Sequence, residues 1–256
     1  MGNELRLAIC AMQWTGEPGM GRFLSGILKR MEIRGWQLAG TVLTAAILFT
    51  FPFVTQAATP RVMVYGDSLS AAYGINPADG WVSLMQARLK PEGVDVINSS
   101  VSGETSSGGL NRIRTDLALI KPSVVLLALG ANDGLRGLPV SELRKNLQGM
   151  IAAIEAAGAR TILIGIQIPP NYGIEYSQQF RDLYADLARK NRVLLVPFLL
   201  DGMADNLALF QADRLHPTAK AQPQILENVL PSVRKLLGLQ KKVEPARRLP
   251  AAVRQP

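Results

Sequence analysis

A serine, an aspartate and a histidine of this sequence have the residue types and the settings that nucleophilic catalysis requires. Ser68 lies in the segment GDSLS (66–70), directly after a short apolar run, and Asp213 and His216 lie three residues apart in DRLHP (213–217). A serine hydroxyl becomes a good nucleophile when a base takes its proton, which an imidazole can do near neutral pH. A carboxylate that accepts a hydrogen bond from the other ring nitrogen fixes the tautomer of that base. We therefore predict Ser68 as the nucleophile, His216 as the base and Asp213 as the residue that orients the base.

The counts of two residue types narrow the chemistry further. His216 is the only histidine of the chain and Cys10 is the only cysteine. Because Cys10 precedes the segment that we expect to be removed, thiol catalysis and disulfides are excluded from the mature chain. A single histidine among scattered carboxylates offers no zinc site, so we predict neither a metal nor a cofactor.

Acyl transfer through Ser68 also needs hydrogen-bond donors for the negative oxygen of its tetrahedral intermediate. The backbone N–H groups of Ser68 and Gly103 and the side-chain amide of Asn132 can supply three such donors. Each residue also has a structural alternative. Ser68 could cap a helix after the first strand, and Asn132 could belong to an ordinary turn. Gly103 could be present only because the backbone there needs a positive φ. His216 could likewise be a structural histidine held by a nearby carbonyl.

The elements that must position these residues alternate between strand and helix. Apolar runs typical of strands buried on both faces occur at 61–66, 94–98, 123–130, 161–168 and 193–197. Helical patterns occur near 81–89, 110–120, 141–157, 178–190 and 221–237. This alternation predicts an α/β fold with a parallel sheet, right-handed crossovers and helices on both faces. Ligands bind such sheets at the carboxyl ends of the strands, which is where the polar segments 66–70, 98–105 and 130–134 fall.

The N-terminal part of the chain has the pattern of an export signal. An uncharged apolar run at 38–54 follows three basic residues and precedes small residues. We predict a secretory signal peptide with cleavage after Ala57, or alternatively after Ala58, and hence a periplasmic or secreted protein. An uncleaved helix over 38–54, anchored in the inner membrane, is the alternative. Met20 and Met31 are alternative translation starts.

The net charge of +8 is unevenly distributed along the chain. Half of it lies after Leu239, where five basic residues accompany Glu244 alone. A solvated tail explains this charge better than a nucleic-acid site, with a peripheral contact to anionic membrane lipid as an alternative. We predict an N-terminal extension with the signal at 1–57, one domain at 58–239 and a disordered basic tail at 240–256.

These motifs together resemble the SGNH (GDSL) hydrolases, over about residues 61–239. The four family blocks match, in order, GDSLS at 66–70, Gly103, GAND at 130–133 and DRLHP at 213–217. The resemblance implies a flavodoxin-like three-layer α/β/α sandwich with a five-stranded parallel sheet. It also implies catalytic and oxyanion roles for Ser68, Gly103, Asn132, Asp213 and His216.

The chain is most similar to the bacterial multifunctional type called acyl-CoA thioesterase I, lysophospholipase or arylesterase. The segments SGET (102–105), GANDGLRG (130–137) and PNYG (170–173) carry this similarity. It implies a small-molecule ester or thioester substrate, and we expect substrate contacts at Asp67, Leu69, Asn171 and Tyr172.

The resemblance leaves parts of the function open. Apolar residues in 164–174 and 199–210 could form an acyl pocket, but the loop between Leu199 and Asp213 departs from the family pattern, so the preferred chain length is open. A sugar O-acetylesterase, an acyltransferase and a catalytically idle lipid-binding module are alternative functions. We expect a monomer that binds no nucleic acid.

Overall fold

The computed structural model describes residues 59–168 and 170–239, and its centre is one five-stranded parallel sheet. The strands follow the order β2-β1-β3-β4-β5. Their bounds are β1 Arg61–Gly66, β2 Asp95–Asn98, β3 Val124–Ala128, β4 Arg160–Ile164 and β5 Leu194–Val196. The register pairs Val62 with Val124 and Gly66 with Ala128, so β1 and β3 are neighbours although β2 lies between them in sequence. The strand order reverses at this pair, which opens a crevice at the carboxyl ends of β1 and β3.

Helices cover both faces of the sheet. The described residues form α1 Trp81–Leu89, α2 Ser106–Ile120, α3 Ala131–Leu135, α4 Val140–Ala156, α5 Ile174–Asn191 and α6 Gln222–Leu237. The crossover through α1 runs along the sheet in the opposite direction from those through α2, α4 and α5. Right-handed crossovers therefore place α1 on one face and the other three on the second face. In agreement, α1 packs against α6, α2 packs against α4, and α4 packs against α5.

The central strands are apolar because both of their faces are covered. All five residues of β3 are buried, as are the five residues of β1 that follow Arg61. Continuous burial explains why these strands read as unbroken apolar runs rather than as alternating ones. The three-layer α/β/α sandwich predicted from the sequence is confirmed.

The structure differs from the sequence prediction at the end of β4. We expected a strand as far as residue 168, but β4 ends at Ile164. A Cβ added to Gly165 would lie 2.1 Å from the carbonyl oxygen of Pro197, so only glycine allows the two chain segments to approach this closely. The apolar residues that follow leave the sheet, and Ile166 and Ile168 line a cavity instead.

The predicted signal or anchor segment and the predicted basic tail lie outside the described residues. Within 59–168 and 170–239, no helix is both long and apolar enough to cross a membrane. The domain boundaries at residues 57 and 239 stay predictions.

Candidate active site

Ser68 lies in a series of tight turns directly after β1. The carbonyl of Asp67 accepts hydrogen bonds from the N–H groups of Ser70 and Ala71, both at 3.0 Å. Its side-chain Oδ1 accepts a further one from the N–H of Leu69 at 3.0 Å. The chain continues in turns over 68–74, so no helix begins at Ser68. The helix-capping alternative for Ser68 is therefore wrong.

His216 contacts Ser68 with one ring nitrogen and Asp213 with the other. The distance from His216 Nε2 to Ser68 Oγ is 2.9 Å, and that from His216 Nδ1 to Asp213 Oδ2 is 2.7 Å. A neutral ring that carries its proton on Nδ1 donates to Asp213 and can accept the proton of the serine hydroxyl. Ser68 and His216 are 148 residues apart in sequence, so the fold of the sheet brings them together.

The turn that joins Asp213 to His216 also sets the charge of the carboxylate. Asp213 Oδ1 accepts hydrogen bonds from the backbone N–H groups of Leu215 (2.9 Å) and His216 (3.0 Å). These bonds, that of His216 first, lower the pKa of Asp213 to about 2. Because the Asp213 side chain is 39% exposed, hydrogen bonds rather than burial keep it in place. The carboxylate is therefore ionised throughout the neutral range.

Hydrogen bonds of Gln211 join the loop that carries His216 to the loop that carries Ser68. Gln211 Nε2 donates to the carbonyls of Tyr73 (2.8 Å) and Pro217 (3.2 Å), and the Gln211 N–H donates to the His216 carbonyl (2.8 Å). The Tyr73 ring also packs on the imidazole, with ring centroids 4.5 Å apart and planes tilted by 40°. These contacts restrict the imidazole to the position from which it reaches Ser68.

Two residues of the cavity wall, Ser68 and Gly103, offer backbone N–H groups to the cavity. Those of Ser68 and Gly103 donate to no acceptor among the described residues. Gly103 has a φ of +79°, and a Cβ added there would meet nothing within 4 Å. The left-handed backbone, and not a lack of space, therefore favours glycine at this position. Both N–H groups are available to a negatively charged oxygen in the cavity.

Asn132 offers a third donor at the same cavity. It belongs to α3, so it does not form the ordinary turn that was the alternative. Its Nδ2 donates to the carbonyl of Glu104 at 3.0 Å, which fixes the orientation of the amide. A side-chain amide has two N–H groups, and this bond leaves the second one without an acceptor among the described residues. Loss of one such donor typically raises the barrier of acyl transfer by about 3–4 kcal/mol.

An arginine holds both ends of the loop that carries Gly103. Arg112 Nε pairs with Glu104 Oε2 at 2.7 Å, just before α2, and Arg112 Nη2 donates to the carbonyl of Ser99 at 2.8 Å, just after β2. The guanidinium also lies 4.1 Å from the centroid of the Tyr65 ring. Since the Glu104 carbonyl holds Asn132, this network positions two of the three candidate oxyanion donors.

A buried carboxylate joins α3 to the start of α2. Asp133 accepts hydrogen bonds from the backbone N–H (2.9 Å) and the hydroxyl (2.6 Å) of Ser106. Asn146 Nδ2 in turn donates to the same hydroxyl at 3.0 Å. The neighbour of Asn132 in sequence is therefore anchored in the protein interior, which limits the movement of the amide.

A cavity of about 590 Å³ opens at these residues. Ser68, Gly103, Asn132 and His216 lie in its wall. Much of the remaining wall is apolar: Leu69, Ala131, Leu135, Ile166, Ile168, Phe198, Leu200, Ala204, Phe210 and Leu215. Both sequence ranges that we expected to form an acyl pocket contribute to this wall. Within the described residues, no three or more His, Cys, Asp or Glu side chains are arranged to hold a metal ion.

The four predicted substrate contacts have different positions. Leu69 lines the cavity, whereas Asn171 and Tyr172 are not part of its wall. The Tyr172 hydroxyl donates to the carbonyl of Leu135, which does line the cavity, at 3.1 Å. Asp67 is fully buried beneath the turn, so the expectation that it contacts substrate is wrong. Its carboxylate faces the protein interior because it builds the turn that presents Ser68.

Burial of Asp67 predicts a measurable dependence of stability on pH. One carboxylate oxygen has no hydrogen-bond partner among the described residues, and burial raises the pKa of Asp67 to about 7. A carboxyl whose pKa is raised by folding stabilises the fold while it is protonated, and this stabilisation is lost as the pH rises through the folded-state pKa. From about pH 5 to about pH 8 the free energy of unfolding should fall by about 3 kcal/mol through this group.

The measurement is urea unfolding of the wild type and of Asp67→Asn across that pH range. The difference in unfolding free energy between the two proteins should shift in favour of Asp67→Asn as the pH rises. Asp95→Asn, at an exposed position on β2, is the matched control and should run parallel to the wild type. Parallel curves for all three proteins would contradict the prediction.

Three residues of the site had no recognisable signal in the sequence. Tyr73, Gln211 and Arg112 lie outside the family blocks, and their side chains act through contacts between distant segments. Only the closeness of Tyr73 to Ser68 and of Gln211 to Asp213 along the chain hinted at these roles.

Comparisons with known proteins show the family of the chain. Residues 64–222 match the profile of the GDSL-like Lipase/Acylhydrolase family. The chain is 47% identical over 184 residues to Esterase TesA of Pseudomonas aeruginosa, an alignment that covers 71% of this chain and 92% of that protein. It is 35% identical over 181 residues to the Thioesterase 1/protease 1/lysophospholipase L1 of Escherichia coli K12, with coverages of 71% and 85%.

A solved structure supports the fold. The psychrotrophic esterase EstA from Pseudoalteromonas sp., in a crystal structure inhibited by monoethylphosphonate, superposes with a TM-score of 0.67 at 41% identity. The match covers 70% of this chain and 98% of that chain.

Proposed function

This chain belongs to the GDSL-like lipase/acylhydrolase family, and we propose that it is a serine hydrolase that cleaves carboxylic esters and thioesters through a covalent acyl-enzyme. The observation that carries the proposal is the pair of contacts made by His216, 2.9 Å to Ser68 and 2.7 Å to Asp213, at the wall of a largely apolar cavity. Related proteins named esterase and thioesterase support the reaction class.

The first half of the reaction forms the acyl-enzyme. Ser68 Oγ attacks the carbonyl carbon of the ester while His216 Nε2 takes the hydroxyl proton. The carbonyl oxygen becomes negative, and the N–H groups of Ser68, Gly103 and Asn132 donate to it. As the intermediate collapses, the imidazolium gives its proton to the leaving alcohol or thiol, and the acyl group stays bound to Ser68.

The second half repeats these steps with water as the nucleophile. The imidazole takes a proton from water, the hydroxyl attacks the acyl carbon, and Ser68 Oγ leaves with the proton from His216. Asp213 stabilises the imidazolium in both halves because its carboxylate is ionised. The products are a carboxylic acid and the regenerated serine.

The cavity wall supports acyl esters with an apolar chain as substrates. Its volume of about 590 Å³ lies in the range of small-molecule sites, and its apolar side chains favour burial of a hydrocarbon chain. The predicted export signal would place the enzyme where coenzyme A thioesters are scarce. Lysophospholipids and other esters are therefore the substrates that we propose for the periplasmic or secreted enzyme.

The test is a chain-length series of p-nitrophenyl esters and coenzyme A thioesters, from acetyl to palmitoyl, assayed on the purified protein. We expect turnover of both classes, with a preference for chains that the cavity can enclose. In parallel, a serine-reactive phosphonate should label Ser68 in a one-to-one ratio, as located by peptide mass spectrometry. Ser102, which also lines the cavity, is the internal control and should stay unlabelled.

Two results would overturn the proposal. A protein that neither turns over any ester nor takes up the phosphonate would be a lipid-binding module rather than an enzyme. A protein that takes up the phosphonate and transfers acyl groups only to an added alcohol would be an acyltransferase.

A further inference from the structure

We infer that Arg214 binds a phosphate group on the leaving alcohol or thiol of the substrate, and so selects phosphate-bearing esters over neutral ones. This inference rests on the proposed hydrolase function and concerns the specificity of the same site. Its basis is the position and backbone conformation of Arg214 and the lack of a partner for its side chain among the described residues.

Arg214 is a positively charged residue in the cavity wall. It is exposed, and it is the only lysine or arginine among the described residues that line the cavity. Its guanidinium has no hydrogen-bond or ion-pair partner among the described residues. Asp205, the only carboxylate in the wall, does not pair with it. By contrast, Arg136 donates to the carbonyl of Gly103 at 3.3 Å, and Arg112 pairs with Glu104 at 2.7 Å.

The backbone of Arg214 is unusual for a residue with a side chain. Its φ is +58°, a left-handed conformation that glycine adopts more readily. The same conformation at Lys121 and Arg192 has a local explanation, because both are C-caps that end helices. Arg214 ends no helix; it lies inside the turn that joins Asp213 to His216. Glycine would adopt this conformation without the steric cost that a Cβ atom brings, so an arginine at this position carries a conformational cost.

The chemistry of the reaction places the leaving group beside this turn. His216 Nε2 must donate a proton to the leaving oxygen or sulfur, so the leaving group departs within hydrogen-bonding distance of the imidazole. Arg214 is two residues from His216 and has a long side chain with five N–H donors in a planar fork. That fork matches the oxygens of a phosphate group, which it can bind with two parallel hydrogen bonds. A phosphate on the leaving group, rather than on the acyl chain, is therefore the group that Arg214 can reach.

The inference is tested with two pairs of substrates that share an acyl chain, and in each pair only one leaving group carries phosphate. The first pair is a lysophosphatidylglycerol and the corresponding monoacylglycerol, both used below their critical micelle concentrations. The second is an acyl-coenzyme A and the corresponding N-acetylcysteamine thioester. For each pair, the ratio of kcat/KM for the phosphate-bearing substrate to that for the neutral one measures the phosphate selectivity. The first pair reports a lipid headgroup and the second reports the nucleotide of coenzyme A.

Arg214→Gly removes the cation and relaxes the backbone at once. We expect the phosphate selectivity of at least one pair to fall about tenfold. Because the selectivity is a ratio, a change in the turn that slows both substrates of a pair equally cancels from it. Arg214→Lys should retain part of the selectivity because it keeps the charge but not the planar fork. Arg192→Gly is the matched control: it removes an exposed arginine of the same left-handed conformation at the end of α5 and should leave both ratios unchanged.

Thermal unfolding shows whether each variant is folded, which separates a loss of selectivity from a loss of structure. Both glycine variants should melt at or above the wild-type temperature, because glycine suits a positive φ. Unchanged selectivity in both pairs for a folded Arg214→Gly, or an equal loss in Arg192→Gly, would overturn the inference. If the wild type cleaves no neutral ester either, the proposed hydrolase function fails, and the failure is distinct from that of the phosphate site.

Discussion

Replacing Ser68 with alanine is expected to lower kcat for p-nitrophenyl esters by about 10⁴-fold or more, which is the range seen when a catalytic serine is removed from a triad enzyme. The alanine variant has no oxygen to attack the carbonyl, although the cavity, the oxyanion donors and His216 stay in place. KM should therefore change little, and the phosphonate should no longer label the protein. Initial rates on a short and a long ester measure the effect.

The neighbouring serine of the same motif provides the control. Ser70 is buried, and its hydroxyl has no hydrogen-bond partner among the described residues, so Ser70→Ala removes an oxygen without breaking a contact. We expect turnover of Ser70→Ala within a few-fold of the wild type. If Ser68→Ala kept wild-type turnover, or if both variants lost activity equally, Ser68 would not be the nucleophile.

Replacing Asp213 with asparagine should lower kcat by about 10³- to 10⁴-fold without disturbing the fold. The amide oxygen can still accept the hydrogen bonds from Leu215 and His216, so the turn survives. The amide nitrogen, however, donates to Nδ1 of the imidazole and moves the ring proton to Nε2. The nitrogen that faces Ser68 then carries a proton and cannot accept another. Because the pKa of Asp213 is about 2, the wild type never resembles this variant at working pH.

Asp205→Asn is the matched control for this variant. Asp205 is a carboxylate in the same cavity wall, but it does not contact the imidazole. Its loss should leave kcat within a few-fold of the wild type. Steady-state rates with unchanged circular dichroism spectra separate the two variants, and a normal kcat in Asp213→Asn would show that the imidazole needs no orienting carboxylate.

Most of the fold, and the candidate triad residues that the structure brings together, could be predicted from the sequence because local patterns encode them. A strand must be apolar where both of its faces are buried, as β3 and the five residues of β1 after Arg61 are. Polar residues at the carboxyl ends of such strands lie at the crevice, so the sequence predicted that Ser68 and Asn132 lie close together. Because His216 is the only histidine of the chain, it was the only candidate for an imidazole base that could pair with Ser68.

The parts that the sequence did not reveal depend on contacts across the fold. Asp67 was expected to contact substrate, but its side chain is buried, and its Oδ1 accepts a hydrogen bond from the N–H of Leu69. Arg112 reads as an ordinary helical cation; only the structure shows that it joins Ser99 to Glu104. The end of β4 at Ile164 depends on the close approach of Gly165 to Pro197. The hydrophobic pattern of the sequence does not predict this contact.

The unequal spacing of the three triad residues along the chain has a consequence for the protein when it is not folded. Closing the four-residue turn between Asp213 and His216 costs little conformational entropy, whereas His216 meets Ser68 only when segments 148 residues apart come together. In an unfolded or partly unfolded chain Ser68 therefore lacks its base. We expect catalytic activity only from the folded protein. Turnover is thus a sensitive reporter of native packing, since a displacement of about 1 Å between reacting groups can lower a rate about 10²-fold.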